Sequence, residues 1–106
     1  MKIGIDIVDI EELKNKIADN PKIIERILSV REMKKWRMET LAGKIAAKEA
    51  IQKTGFVKAG GWLNIQILNK KDGEPYVVDK TGKKIDNLQV SISHKKNIAV
   101  AVALLV

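Results

Sequence analysis

The chain has 106 residues, 45% hydrophobic and 31% charged, with 20 Lys+Arg against 13 Asp+Glu, a net charge of +7, one His and no Cys. A chain of this length suits one small globular unit and buries only about two-thirds of its unfolded surface, so residues 1–106 are read as a single domain. Without Cys there are no disulfides, thiolate zinc sites or cysteine nucleophiles, and with His94 as the only histidine, multi-histidine metal sites and most Ser/His relays are hard to assemble.

What remains is chemistry run by carboxylates, lysines and one imidazole. The N-terminus lacks the apolar core of a secretory signal. The longest apolar run, Ile98 to Val106, is nine residues, far short of the roughly 20 that span a bilayer as a helix. The chain therefore reads as cytoplasmic, with no membrane partner. Residues 1–53 carry +3 and residues 54–106 carry +4, without a basic tail. A positive field of this kind favours anionic partners such as phosphorylated metabolites, nucleic acid or an acidic protein.

In chain order, Ile3, Ile5 and Ile7 alternate with Gly4, Asp6 and Val8, the period of a strand with the isoleucines in a core and Asp6 on the opposite face beside Gly4. A helix is predicted from about Ile10 to Ile17, and a second from about Lys22 to Leu28, after Asn20-Pro21. Ser29 and Glu32 have the spacing of a capping box for a third short helix containing Met33 and Trp36. The most regular helix is Thr40 to Thr54, stopped by Gly55, with Leu41, Ala42, Ile45 and Ala46 on one stripe that Glu49 continues.

The second half reads as strands. Leu63, Ile65 and Ile67 alternate, and Asp72-Gly73 supplies a hairpin turn before Tyr76-Val77-Val78. Leu88, Val90 and Ile92 alternate up to His94, and after Lys95-Lys96-Asn97 a last strand places Ala99, Ala101 and Ala103 on one face, smooth enough for a helix to lie closely. The implied fold class is α+β, an antiparallel sheet covered on one side by helices.

Asp6 on an apolar strand and Glu49 on an apolar helix stripe both face desolvation unless a positive charge compensates. A bound cation does so, and two carboxylates with the remaining positions left to water and phosphate oxygens describe a Mg²⁺ site. The competing explanation pairs each acid with a lysine: Lys53 lies one turn beyond Glu49, and Lys48 is adjacent in sequence. His94 ends a strand beside Ser91 and Ser93, a position that suits a hydrogen-bonded structural imidazole as well as a catalyst. Lys44, Lys48 and Lys53 form a helix edge that can hold phosphates or simply be solvated.

Taken together and in order, several elements are distinctive: Gly4-Ile5-Asp6-Ile7-Val8, Leu28-Ser29 through Glu32, Leu41-Ala42-Gly43-Lys44 into Ala46-Ala47-Lys48-Glu49-Ala50, Gly73 through Pro75-Tyr76, and Val90-Ser91-Ile92-Ser93-His94. They resemble the holo-acyl-carrier-protein synthases, the small 4'-phosphopantetheinyl transferase family, over nearly the whole chain. The resemblance implies transfer of the 4'-phosphopantetheine arm of coenzyme A to a serine of apo acyl carrier protein, with release of adenosine 3',5'-bisphosphate. It implies Asp6 and Glu49 as Mg²⁺ ligands, Lys53 and Lys44 as phosphate contacts, and His94 near coenzyme A. It also implies a homotrimer with active sites between subunits. Glu49, a water or His94 can each take the serine proton.

The chain departs from that family in three places, one of them Thr54-Gly55-Phe56, which lacks the second glycine often found after the family's lysine. Eight residues separate Glu32 from Leu41, a shortened segment in which Lys34, Lys35 and Arg37 stand in for the family's basic residues; and the first helix carries Glu11-Glu12 ahead of Lys14 and Lys16 where the family commonly has basic residues for the acidic carrier. Two rival functions are a protein that binds carrier or coenzyme A without transfer, and a basic nucleic-acid module. With 4% aromatics, a base-stacking platform is poorly supplied, so nucleic acid is not expected as a partner.

Overall fold

The computed structural model describes residues 1–34 and 37–106. In chain order it has strand β1 (Lys2–Asp9), helix α1 (Ile10–Asp19), a 3₁₀ turn (Pro21–Arg26), helix α2 (Met38–Lys53), a second 3₁₀ turn (Trp62–Asn64), and strands β2 (Ile65–Asn69), β3 (Pro75–Asp79), β4 (Leu88–Lys95) and β5 (Ile98–Leu105). The strands form two antiparallel sheets, β1-β5-β4 and β2-β3, with the helices on one side of the larger one. This is the α+β architecture expected from the sequence.

Local chemistry accounts for the boundaries. Asp9 caps α1 by accepting from Glu12 N at 3.0 Å, and Asn97, from the tight β4–β5 turn, caps the same helix end by accepting from Glu11 N at 2.8 Å. The segment after Pro21 winds as 3₁₀ rather than as the expected α-helix, a conformation suited to a short connector. The Ser29–Glu32 capping box forms, with Ser29 N donating to Glu32 Oε1 at 2.9 Å and Glu32 N donating to Ser29 Oγ at 3.3 Å. It closes a turn over residues 30–33; Lys35 and Trp36 lie outside the described residues. Gly55 ends α2 with φ of +86°.

The sheet faces are the main departure from expectation. Val8, Asp6 and Gly4 pair with Ala99, Ala101 and Ala103 of β5, which in turn pair with His94, Ile92 and Val90 of β4. The alanines are buried, so this row of small side chains faces α2. Ile3, Ile5 and Ile7, expected in the core, point the other way and are 67%, 54% and 63% exposed. The reason is steric: a Cβ on Gly4 would overlap the Ala50 carbonyl of α2, and one on Gly43 would meet Ile92 Cγ2 at 2.7 Å. Only small residues let helix and sheet approach so closely, so the larger isoleucines take the outer face, alongside Val102 and Ile98.

Candidate active site

Close packing of β1 on α2 brings Asp6 and Glu49 together. Asp6 is the inward residue two places after Gly4, whose missing Cβ lets the strand touch α2 at Ala50, the residue following Glu49. The Asp6 side chain is 14% exposed and its Oδ1 accepts from Lys53 Nζ at 3.1 Å. Lys53 also donates to Ile5 O at 2.8 Å. Asp6 Oδ2 is buried and, among the described residues, has no donor unless Glu49 itself carries a proton.

Glu49 does hold its proton unusually well. Its carboxyl is pushed up to about 7, first by burial and then by Asp6, which acts both as hydrogen-bond acceptor and as like charge; Lys53 and Lys16 oppose the shift. Of these two lysines only Lys53 bonds directly to the pair, through Asp6 Oδ1, so Asp6 Oδ2 is left without a cationic partner among the described residues. Among the described residues no group of three or more His, Cys, Asp and Glu is gathered as a metal cluster; the pair supplies two carboxylates, and Mg²⁺ uses one or two with waters and phosphate oxygens completing its shell.

Beside the pair lies a groove of about 260 Å³ between β1, α1 and the first 3₁₀ turn, with Ile7, Leu13, Ile24 and Ile27 as apolar wall and Glu12, Lys16 and Glu49 as polar groups. Lys16, on α1, also contributes to this groove. Its signal was helical spacing: it sits three residues after buried Leu13 and so turns toward the same side.

The other candidates fall elsewhere. Lys48 does not pair with Glu49. Neighbours in a helix point about 100° apart, and Lys48 reaches Glu32 instead, at 2.6 Å, with both side chains fully buried. Lys44 is also buried and donates to Glu32 O at 2.9 Å, with burial lowering its affinity for a proton against the pull of Glu32. His94 is exposed and lies in the Val8–Ala99–His94 row. Two strand spacings, roughly 10 Å, thus separate its backbone from β1. One chain brings together Asp6, Glu49 and Lys53, and leaves Lys44 and His94 apart from them.

Comparison with known proteins identifies the family. A family model of the 4'-phosphopantetheinyl transferase superfamily matches residues 2–103. The chain belongs to that superfamily and is, by class, a transferase. Holo-acyl-carrier-protein synthase from Listeria monocytogenes is 38% identical over 109 residues, covering 93% of this chain and 92% of the relative. The synthase from Geobacillus sp. is 41% identical over 109 residues, covering 93% and 90%. The crystal structure of the Helicobacter pylori synthase in complex with coenzyme A superposes with a TM-score of 0.83 at 30% identity, covering 98% of this chain and 99% of that one. The Bacillus anthracis synthase in complex with CoA (3',5'-ADP) gives a TM-score of 0.80, also at 30% identity, covering 98% and 94%. Within the superfamily, the chain is a member of the holo-acyl-carrier-protein synthase family.

Proposed function

We propose that this protein transfers the 4'-phosphopantetheine group of coenzyme A to a serine hydroxyl of apo acyl carrier protein in a Mg²⁺-dependent reaction. The observation that carries this reading is the Asp6–Glu49 pair, whose buried Asp6 Oδ2 and raised Glu49 pKa describe a site short of positive charge. The donor set fits a hard cation, and Asp6 and Glu49 would hold it. Mg²⁺ when bound supplies charge neutralisation on the pyrophosphate of coenzyme A.

The remaining work falls to the chain itself. The serine oxygen attacks the phosphorus that bears the pantetheine arm, the bond from that phosphorus to the bridging pyrophosphate oxygen breaks, and adenosine 3',5'-bisphosphate leaves. Glu49, directly or through a water, accepts the serine proton. Lys53 uses two of its ammonium donors on Ile5 O and Asp6, and its third, on a side chain 56% exposed, is free to meet a phosphate oxygen. Lys44 stays on Glu32 in this reading. His94 serves coenzyme A bound between chains rather than the Asp6–Glu49 pair of its own chain.

That last assignment requires an assembly, and we propose a homotrimer formed through the outer face of the β1-β5-β4 sheet. The support is its exposed isoleucines, which form an apolar surface of a kind that monomeric proteins seldom leave open. An I5K/V102K variant is expected to sediment as a monomer. The net charge of +7 suits an acidic carrier as partner. No helix among the described residues is long and apolar enough to cross a membrane.

The test is incubation with coenzyme A, Mg²⁺ and apo acyl carrier protein, followed by mass spectrometry of the carrier. A phosphopantetheine adduct on its serine that disappears with a chelator is the expected result. Absence of an adduct on several carriers, with the protein folded, favours a protein that binds without transfer.

A further inference from the structure

Helix α2 meets the sheet through small side chains: Gly43, Ala46, Ala47 and Ala50 are buried on the helix, and Ala99, Ala101 and Ala103 on β5. Burial of such surface is non-directional, and apart from Ile92 against Gly43 the alanine faces offer few knobs to stop a helix rolling or sliding. Glu49 and Asp6, to share one ligand, need a defined roll and a defined axial setting.

Directional bonds that meet this need converge on Lys48 and Glu32. Lys48 Nζ donates to Ile27 O at 2.6 Å, to Glu32 Oε1 at 2.6 Å and to Trp62 O at 2.9 Å, which uses all three of its protons. Glu32 Oε2 accepts from Ile67 N at 2.7 Å, and Glu32 O accepts from Lys44. Helix α2 is thereby fastened to the 27–32 turn, to the second 3₁₀ turn and to β2 by charge-assisted bonds, which are strong and specific in direction. Ile27 also forms a wall of the groove that Glu49 lines, so a single ammonium holds both sides of the groove.

A buried ion pair is weak evidence for stability, because apolar replacement of both partners is often neutral or favourable. Its distinctive contribution here is geometry. We infer that Glu32 and Lys48 are positioning residues for the transfer reaction, their buried pair setting the roll and axial position of α2 so that the next residue, Glu49, is aimed at Asp6. The inference rests on the function proposed for the Asp6–Glu49 pair. Lys48, with no exposure and no spare donor, does not itself touch substrate.

The experiment titrates Mn²⁺ into the full chain by electron paramagnetic resonance and measures steady-state transfer, for the parent, E49Q, E32D and E32Q/K48M. E32D keeps a charge beside Lys48 but withdraws the carboxylate by one methylene. E32Q/K48M removes both charges while leaving an acceptor for Ile67 N. Each folded variant is expected to bind Mn²⁺ about tenfold more weakly or worse, with a similar fall in kcat, and with KM for coenzyme A held within about threefold. Parental Mn²⁺ affinity and kcat in either folded variant, with only the melting temperature lowered, overturns the positioning role. If E32Q/K48M does not fold, E32D decides. Mn²⁺ binding that is lost in E49Q but indifferent to Glu32 removes this inference alone; parental protein that binds no Mn²⁺ removes the proposed function as well.

Discussion

Helix α2 carries two acid–lysine clusters of opposite character. In the first, Lys48 and Glu32 are sealed from solvent, and every ammonium proton and both carboxylate oxygens have partners within the protein. In the second, one residue along the helix, Glu49 faces Asp6, Lys53 bonds to Asp6 Oδ1, Asp6 Oδ2 has no donor among the described residues except a proton on Glu49, and Glu49 holds that proton to about 7. A satisfied charge cluster is finished and has no capacity for a ligand. An unsatisfied one invites a cation, and its misfit within the folded chain alone is what marks it as a site.

The contrast is most sharply tested by E49Q. The substitution removes a proposed metal ligand without emptying a core position, so the fold should persist while transfer falls by about three orders of magnitude, the equivalent of roughly 4 kcal/mol of transition-state charge stabilisation. Transfer assays with far-ultraviolet circular dichroism check both halves. Activity within tenfold of the parent would place the chemistry outside this pair.

K48M attacks the sealed cluster instead. It leaves Glu32 charged, buried and unpaired, and should lower unfolding stability by about 3–5 kcal/mol in urea titrations. A loss under about 1 kcal/mol would mean that water reaches Glu32, and the distinction between the clusters would blur.

A smaller effect is expected of G4A, which forces β1 away from the Ala50 carbonyl. Overpacking of this kind costs about 1–3 kcal/mol; because the same contact brings Asp6 to Glu49, Mn²⁺ affinity should fall with it. Unchanged Mn²⁺ affinity would separate the strand–helix contact from the site.

The smallest effect is a pH dependence. Without metal, the Glu49 carboxyl ionises near 4.5 in the unfolded chain and near 7 in the folded one. Between those values the folded state binds more protons, so its stability falls as pH rises through this window and the penalty is complete above about 7. Half-exposure of the group screens the effect. E49Q should show a flatter profile in chemical denaturation between pH 4 and 8, and an equal slope in the two proteins would assign the shift to another group.

The sequence and the structure agree where the signal is local. The Asp72-Gly73 hairpin, the Gly55 stop, the Ser29–Glu32 capping box and the alanine face of β5 each follow from residues within a few positions of one another. The Asp6–Glu49 juxtaposition was legible for a different reason: a carboxylate on an apolar strand and another on an apolar helix stripe are each anomalous. Adjacency in sequence, by contrast, paired Lys48 with Glu49, whereas helical geometry sends Lys48 to Glu32, sixteen positions earlier. Alternation on β1 identified a strand with two distinct faces but put the isoleucines, on the wrong face, in the core. The structure places Gly4, Asp6 and Val8 there and leaves the isoleucines outside.

By itself, then, the sequence determined the strands, helices α1 and α2, the α+β class, the family's motifs and which charged residues were out of place, but not the 3₁₀ winding after Pro21 or the turn that replaces a third helix. Tertiary structure alone decided which lysine answers which acid, which side of β1 is the inside, and that Lys44 is committed to Glu32 while His94 stands two strands from β1. The physical reason is that periodicity and capping act over a few residues, whereas ion pairing and close packing depend on where a helix settles against a sheet. Here a missing Cβ on Gly4 and three bonds from one buried ammonium set that position.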